Sequence, residues 1–257
     1  MSEQVVRLHE VEEGIVQVTM QDRVNKNTFS DALIRGLGDA FDAIRTERRY
    51  KAVILTGYDN YFASGGTQES LLFLSEGKGT FTDIAKTSGI AGSLYSLALN
   101  CPIPVISAMQ GHAIGGGFVM GLFADFVVLS RESIYTANFM KYGFTPGMGA
   151  TLVLPQKLGL ALAEEMLLTA KTYYGEELQK RGIPFPVLPR SEVGGHVLEL
   201  ALTLAEKPRL SLITLKDHLV AEMRDKLPTI IEQELVMHKK TFSQSEVKER
   251  IKSRFGN

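Results

Sequence analysis

The stretch Gln110-Gly111-His112-Ala113-Ile114-Gly115-Gly116-Gly117-Phe118-Val119 decides how this chain is read. The apolar run Pro104-Val105-Ile106-Ser107-Ala108 leads into it as a buried strand, and residues 118–123 leave it as a buried helix. Three glycines at such a junction let the backbone turn sharply and let another group approach it closely. They also leave the first N–H groups of the helix unpaired at the positive end of its dipole. That geometry suits an anion, either permanent or formed only in a transition state. A P-loop would need Lys-Ser or Lys-Thr where Phe118-Val119 stand, and the dinucleotide spacing would need Gly where Met120 stands. A tight packing turn with no ligand is the alternative reading of the stretch alone.

Working outward, residues 5–9 and 15–20 nearly alternate around Glu12-Glu13-Gly14, the pattern of a β-hairpin. Ser30 is placed to cap a helix carrying Leu33, Ile34, Leu37, Phe41 and Ile44 at helical spacing. Residues 51–57 form a strand, followed by a second small-residue corner, Tyr61-Phe62-Ala63-Ser64-Gly65-Gly66-Thr67, and a short helix over 68–74. Residues 76–92 hold Gly77, Gly79, Gly89 and Gly92 among polar residues, which suits a mobile lid. Helix over 93–100, strand over 125–130, an extended piece over 134–138 and a Gly/Pro loop over 142–149 follow. Helices are expected at 151–158, 161–169 and 175–181, with an extended segment at 183–188. From Ser191 onward the chain reads as helix throughout: 193–205, 210–226, 229–242 and 245–254. The expectation is an α/β core over residues 1–190 and a C-terminal helical region over 191–257.

The chain has 257 residues, 44% of them hydrophobic, enough for one large domain or one domain with an appendage. A net charge of -1 offers no basic footprint for nucleic acid. Cys101 is the single cysteine, which leaves no disulfide framework and no zinc cluster. It precedes Pro102 with no evident base partner and reads as a buried apolar residue. The polar N-terminal residues are unlike a signal peptide, and no apolar run approaches membrane-spanning length, so a cytoplasmic protein is expected.

The two glycine corners, 50 residues apart at Gly66 and Gly116 and each following a strand, resemble those of the crotonase (enoyl-CoA hydratase/isomerase) superfamily. Asn27-Thr28-Phe29-Ser30 resembles that family's early Asn-Ala-Phe-Ser signature, and Pro146-Gly147-Met148-Gly149-Ala150 its Pro-Gly loop. Ala124-Asp125 fits the family's Cys-Asp position. The resemblance spans nearly the whole chain. It implies a crotonase-like ββα spiral core with a C-terminal helical region that packs trimers. It also implies that the backbone N–H groups of Gly66 and Gly116 bind a thioester oxygen.

The departures from the family are informative. Where a hydratase carries its two glutamates, Val119 and Phe139 stand here, and Thr67 stands where many relatives have Asp. Neither Val nor Phe moves protons, so ordinary hydration is disfavoured, as is isomerisation by the usual carboxylate. An oxyanion hole with no carboxylate base suits decarboxylation of an acid on the thioester, because loss of CO₂ itself generates the dienolate. The runs 58–69 and 137–149 resemble the decarboxylases of the polyketide β-branching cassette. In that branch, 3-methylglutaconyl on the phosphopantetheine of an acyl carrier protein becomes 3-methylcrotonyl, after a crotonase-like dehydratase partner.

The branch is associated with a lid lysine that places the carboxylate and a C-terminal histidine that delivers the proton. Lys78, flanked by glycines, and His238 are the corresponding candidates, with Lys86 as the alternative lysine. An ordinary histidine pKa near 6.5 suits a proton donor at neutral pH. Ser64, Val119, Phe139 and Asn138 are the candidate substrate-binding wall, with Tyr135, Ser70 and Leu74 nearby by position. His112 is read as packing and His218 as structural. No metal or redox cofactor is implied. Two competing readings are an enoyl-CoA isomerase or hydratase with unusual acid–base groups, and an inert trimeric thioester-binding protein.

Overall fold

Val6–Glu12 (β1) and Ile15–Met20 (β2) pair as an antiparallel hairpin in the computed structural model, which describes residues 4–86 and 93–255. Asp31–Thr46 (α1) begins at the expected cap, where the Ser30 side chain accepts from the Leu33 amide, and buries its apolar stripe. Ala52–Thr56 (β3) is followed by the three-residue strand Tyr61–Ala63 (β4) and by Gln68–Ser75 (α2). Phe81–Ile84 (α3) is one short turn closed by a capping box between Thr80 and Asp83, inside the expected lid, of which residues 87–92 lie outside the described residues. Leu97–Asn100 (α4), entered by a 3₁₀ turn, leads to Val105–Met109 (β5), His112–Ile114 (β6) and Gly116–Leu122 (α5). Phe126–Ser130 (β7), Ile134–Thr136 (β8), Ala150–Leu158 (α6), Leu160–Thr169 (α7), Thr172–Tyr174 (β9) and Gly175–Lys180 (α8) follow. Val187–Leu188 (β10) is the last strand, before Arg190–Ala205 (α9), Arg209–Thr241 (α10) and Ser245–Arg254 (α11).

The strands form two sheets. The larger has the order β1-β2-β3-β5-β7-β10, parallel except for the hairpin, and the smaller has the order β4-β6-β8-β9, parallel except for β8 with β9. The chain thus winds in a repeated step, one strand in the large sheet and the next short strand in the small one: β3 to β4, β5 to β6, β7 to β8. The connections are tight. A Cβ at Gly111 would lie 2.4 Å from the backbone of Asn60 and Tyr61, so the second turn of the spiral can cross the first only at a glycine. This is the crotonase-like α/β spiral the sequence leads one to expect.

Both faces of the large sheet are covered. One packs into the main core with α1 and the smaller sheet. The other lies under α9, where Val193, Val197 and Ala201, each four residues apart, bury against Ile15, Ile54, Ile106 and Val128. Parallel strands covered on both faces read as continuous apolar runs, which is why 104–108 looked buried in sequence.

Three expectations need correction. Each glycine corner follows a short strand of the smaller sheet, β4 or β6, and not the long apolar strand before it. Strand β9 was not foreseen. The two helices expected at 210–226 and 229–242 are one helix of 33 residues, α10, running through Pro228. A proline inside a helix costs about 3 kcal/mol. Burial of Lys216, Leu227, Glu234 and His238 on both sides of Pro228 offsets it. The Lys216 ammonium, 4% exposed, donates to the carbonyls of Ala98 and Ile103 and to Asp125 Oδ2 at 2.7 Å, fastening α10 to the core.

Candidate active site

The first corner is held by Asn27. Its side chain is fully buried, donates to the carbonyls of Met20 and Phe62 at 3.0 and 2.9 Å, and accepts from the Asp22 amide. Its own carbonyl accepts from Ser64 N, and Gly65 O accepts from Phe29 N at 2.7 Å. The Asn-Thr-Phe-Ser stretch therefore serves to lock the backbone of Gly65-Gly66. The second corner turns at Gly115, where φ is +55°, and opens α5 with no side-chain cap. The corners touch: a Cβ at Gly65 would meet Ile114 O at 2.9 Å and Gly116 N at 3.1 Å. Neither the Gly66 nor the Gly116 amide has a hydrogen-bond partner among the described residues. Two unpaired N–H groups on adjoining corners are the kind of donors that could share one oxygen.

A cavity of about 30 Å³ lies at this junction, lined by Ser64, Gly66, Gly116 and Asn138 and walled by Tyr95, Phe139, Phe144 and Met148. No carboxylate is among its lining residues. On one side, Ser64, Asn138 and Tyr142 connect it with an outer opening of about 500 Å³ rimmed by Lys26 and Lys141. On the other, Phe81 of α3 separates it from a cavity of about 310 Å³ lined by His238, Leu235, Phe242 and Leu74.

His238 lines that larger cavity, 6% exposed, between the rings of Phe81 and Phe242. Its Nε2 lies 2.8 Å from the Thr145 carbonyl oxygen, and its Nδ1 is buried without a partner among the described residues. Burial pushes its pKa down to about 4, only partly countered by the carbonyls of Thr145 and Pro146. An unperturbed histidine, expected from sequence, is not what the fold makes of it: at neutral pH the ring is uncharged.

Lys78 is not brought to His238. Its ammonium is at the surface, 2.7 Å from Glu76, which also pairs with Lys248 at 2.8 Å. These partners, Lys248 first, hold the Glu76 carboxyl down at about 2. The flanking Gly77 and Gly79 do line the larger cavity. Lys86 is exposed and bridges Ser93 in a short antiparallel contact.

Of the expected wall, Ser64, Asn138 and Phe139 line the corner cavity. The Ser64 hydroxyl donates to Lys26 O, and the Asn138 carboxamide oxygen fills the space a side chain at Gly115 would take. Val119 is fully buried in α5 and does not line it. Tyr135 faces the other way, its hydroxyl donating to Met109 O at 2.7 Å. Ser70 bonds within its own turn to Thr67, and Leu74 lines the larger cavity. His112 packs as expected, Nδ1 accepting from Ile134 N, whereas His218 is exposed on α10. Cys101 is buried, and burial pushes its thiol pKa up.

Sequence reasoning missed Phe81, Tyr95 and Glu234. The Glu234 carboxylate, 1% exposed, accepts from the amides of Gly149 and Thr151 and from the Thr151 hydroxyl at 2.6 to 2.9 Å, capping α6 from one turn before His238. With Thr241 meeting Thr145, α10 grips the Pro-Gly loop at 234, 238 and 241, the helical spacing that could have pointed to them.

The sequence model of the family described as Enoyl-CoA hydratase/isomerase matches residues 10–255. The chain is 64% identical to Bacillaene synthase decarboxylase PksI of Bacillus subtilis (strain 168), over 100% of each protein. A structure solved in work on a dehydratase/decarboxylase enzyme couple of polyketide β-branching superposes with a TM-score of 0.94 at 64% identity, covering 98% of this chain and 100% of that one. The ECH2 decarboxylase domain of CurF from Lyngbya majuscula superposes at 0.91 with 45% identity and the same coverage.

Proposed function

We propose that this chain, which belongs to the enoyl-CoA hydratase/isomerase family, is a decarboxylase of polyketide β-branching. Its substrate is a 3-methylglutaconyl thioester on an acyl carrier protein, and its product is the 3-methylcrotonyl thioester. The observation that carries the reading is the pair of unpartnered amides, Gly66 and Gly116, facing a cavity with no carboxylate. Likeness along the full length to a decarboxylase supports it.

The thioester oxygen is held by the two amides. The bond between the γ-carbon and the carboxylate breaks, CO₂ departs, and the electron pair spreads through the dienolate to that oxygen. Preorganised donors act most strongly on the oxygen as its charge develops, and losing one costs roughly 10² to 10³ in rate. Lys78 is the proposed cation for the substrate carboxylate. Its surface ion pair means it must turn inward on the Gly77 and Gly79 hinges. His238 is the proposed proton donor: its Nε2 proton stays bonded to the Thr145 carbonyl, so the ring takes a proton from water on Nδ1 and passes that one to the γ-carbon of the dienolate. Phe81 must yield for dienolate and imidazole to meet.

The acyl carrier protein presents its phosphopantetheine arm through the outer opening. Lys26 and Lys141 there, with no carboxylate among the lining residues, suit an acidic carrier. A dehydratase supplies the unsaturated substrate. The C-terminal helices expose Leu210, Leu215 and Leu219, area suited to burial between copies in a homotrimer, which sedimentation velocity tests.

The deciding experiment is intact-mass analysis of 3-methylglutaconyl carrier protein incubated with the enzyme, with Lys78→Ala and His238→Ala alongside. The expected result is loss of the mass of CO₂, slowed in both variants. Full activity of both variants would keep the reaction and remove these two residues from it. No loss of CO₂, followed by turnover of unsaturated acyl-CoA, would make the protein an isomerase or hydratase. Binding without turnover would make it inert.

A further inference from the structure

Tyr95 stands beside the second glycine corner with no hydrogen-bond partner among the described residues. It is 5% exposed and lines the 30 Å³ cavity, its ring packed edge-on against Phe29 at 5.6 Å. A Cβ added at Gly116 would lie 3.0 Å from the Tyr95 hydroxyl, so that oxygen sits where the glycine's side chain is missing. The hydroxyl makes no hydrogen bond to any described residue. In this largely buried tyrosine the hydroxyl opens on the cavity instead of on a protein partner. The two tyrosines buried more deeply differ: the Tyr135 hydroxyl is bonded to Met109 and Ser130, and that of Tyr173 to Glu165. An orphan of this kind at a binding corner marks a group kept for a ligand.

We infer that the Tyr95 hydroxyl is a third hydrogen-bond donor to the oxygen held by the Gly66 and Gly116 amides. The inference rests on the thioester reading of the corners. The cavity is small enough that an oxygen set against both amides lies beside the phenol. Burial pushes the phenol pKa well up, so the group is protonated at neutral pH and able to donate. The Phe29 ring, held by the first corner through its amide to Gly65 O, keeps the phenol in place. The bond is a donation only, with no proton transferred, and its strength grows as the thioester oxygen becomes enolate-like.

The test is Tyr95→Phe, which removes the oxygen and keeps the packing. Two probes are titrated by calorimetry: the ketone analogue of 3-methylcrotonyl pantetheine, with CH₂ in place of sulfur, and the same molecule with CH₂ in place of its C=O. The expected result is about tenfold weaker binding of the ketone by the variant. Binding of the methylene compound stays within about twofold, and the melting temperature is unchanged or raised. On the carrier-bound substrate, kcat should fall by about 10² with little change in KM. Equal loss for both probes, or undiminished ketone binding, overturns the inference, because Tyr95 would then only shape the wall. If wild type discriminates the probes through Tyr95 but releases no CO₂, the donor stands and the decarboxylase reading falls. If wild type binds neither probe, both fall.

Discussion

The imidazole Nε2 of His238 lies 2.8 Å from the carbonyl oxygen of Thr145, a bond between the long C-terminal helix and the Pro-Gly loop. A carbonyl only accepts, so the proton is on Nε2, and Nδ1 is left as a buried lone pair. The contact that positions the ring over the larger cavity is also what ties α10 to the loop carrying Phe144 and Met148 into the smaller one.

Acidification should cost stability through this histidine. Its pKa is about 4 in the folded chain and 6.5 when unfolded, so the unfolded chain binds the proton more readily. The contribution is whole above pH 6.5 and is lost as pH falls from 6.5 towards 4. The gap corresponds to about 3 kcal/mol at most. Urea midpoints at pH 7.5 and 4.5 should differ less in His238→Gln than in the wild type; parallel losses would show that other groups carry the effect.

Glu234→Ala should destabilise by about 3 kcal/mol, because it orphans two buried amides and the Thr151 hydroxyl. Glu234→Gln keeps one acceptor but turns an NH₂ towards a donor, and should lose about half as much. Burial raises the Glu234 pKa, while the Thr151 and Gly149 donors oppose that rise. Denaturant unfolding measures both variants, and a cost under about 1 kcal/mol for Glu234→Ala would remove the carboxylate from the scaffold of the loop.

Neighbouring glycines should answer differently to alanine. At Gly117 a Cβ would lie 2.2 Å from the Ala63 carbonyl oxygen, backbone against backbone, so Gly117→Ala should lose about 3 kcal/mol or more of stability. At Gly116 it meets only the Phe29 ring and the Tyr95 hydroxyl at 3.0 Å, both side-chain atoms. Gly116→Ala should fold and lose about 10² in kcat by crowding the oxyanion position. Melting curves beside turnover separate the two; equal melting temperatures for both variants would refute the contrast.

Lys216→Met should cost about 3–5 kcal/mol, since it strands Asp125 and two buried carbonyls. Lys216→Met combined with Asp125→Asn should recover part of that. A single variant as stable as wild type would mean the ion pair does not fasten α10.

The family signature was legible because it is written in residues with no local substitute. Asn27, the two glycine corners and the Pro-Gly loop each meet a backbone demand that few residue types satisfy. The alternating hairpin, the Ser30 cap and the continuous apolar runs of β3 and β5 are likewise local signals, and each appears where expected. The three-residue strands β4, β6, β8 and β9 were not legible as a sheet. Such short segments have no periodicity of their own and exist only through pairing with one another.

The sequence by itself determined the two glycine corners, the apolar strands of the large sheet and the absence of the hydratase carboxylates, because glycine geometry and residue chemistry act at the position where they are written. Only the tertiary structure decided that α10 passes unbroken through Pro228, that His238 is uncharged at neutral pH, that Lys78 faces Glu76 at the surface, and that the Tyr95 hydroxyl has no hydrogen-bond partner among the described residues. Those properties depend on burial and on which distant groups come within bonding reach. A helix is held past a proline by groups more than 80 residues away in the chain, and a proton is refused by an imidazole because the fold buries it.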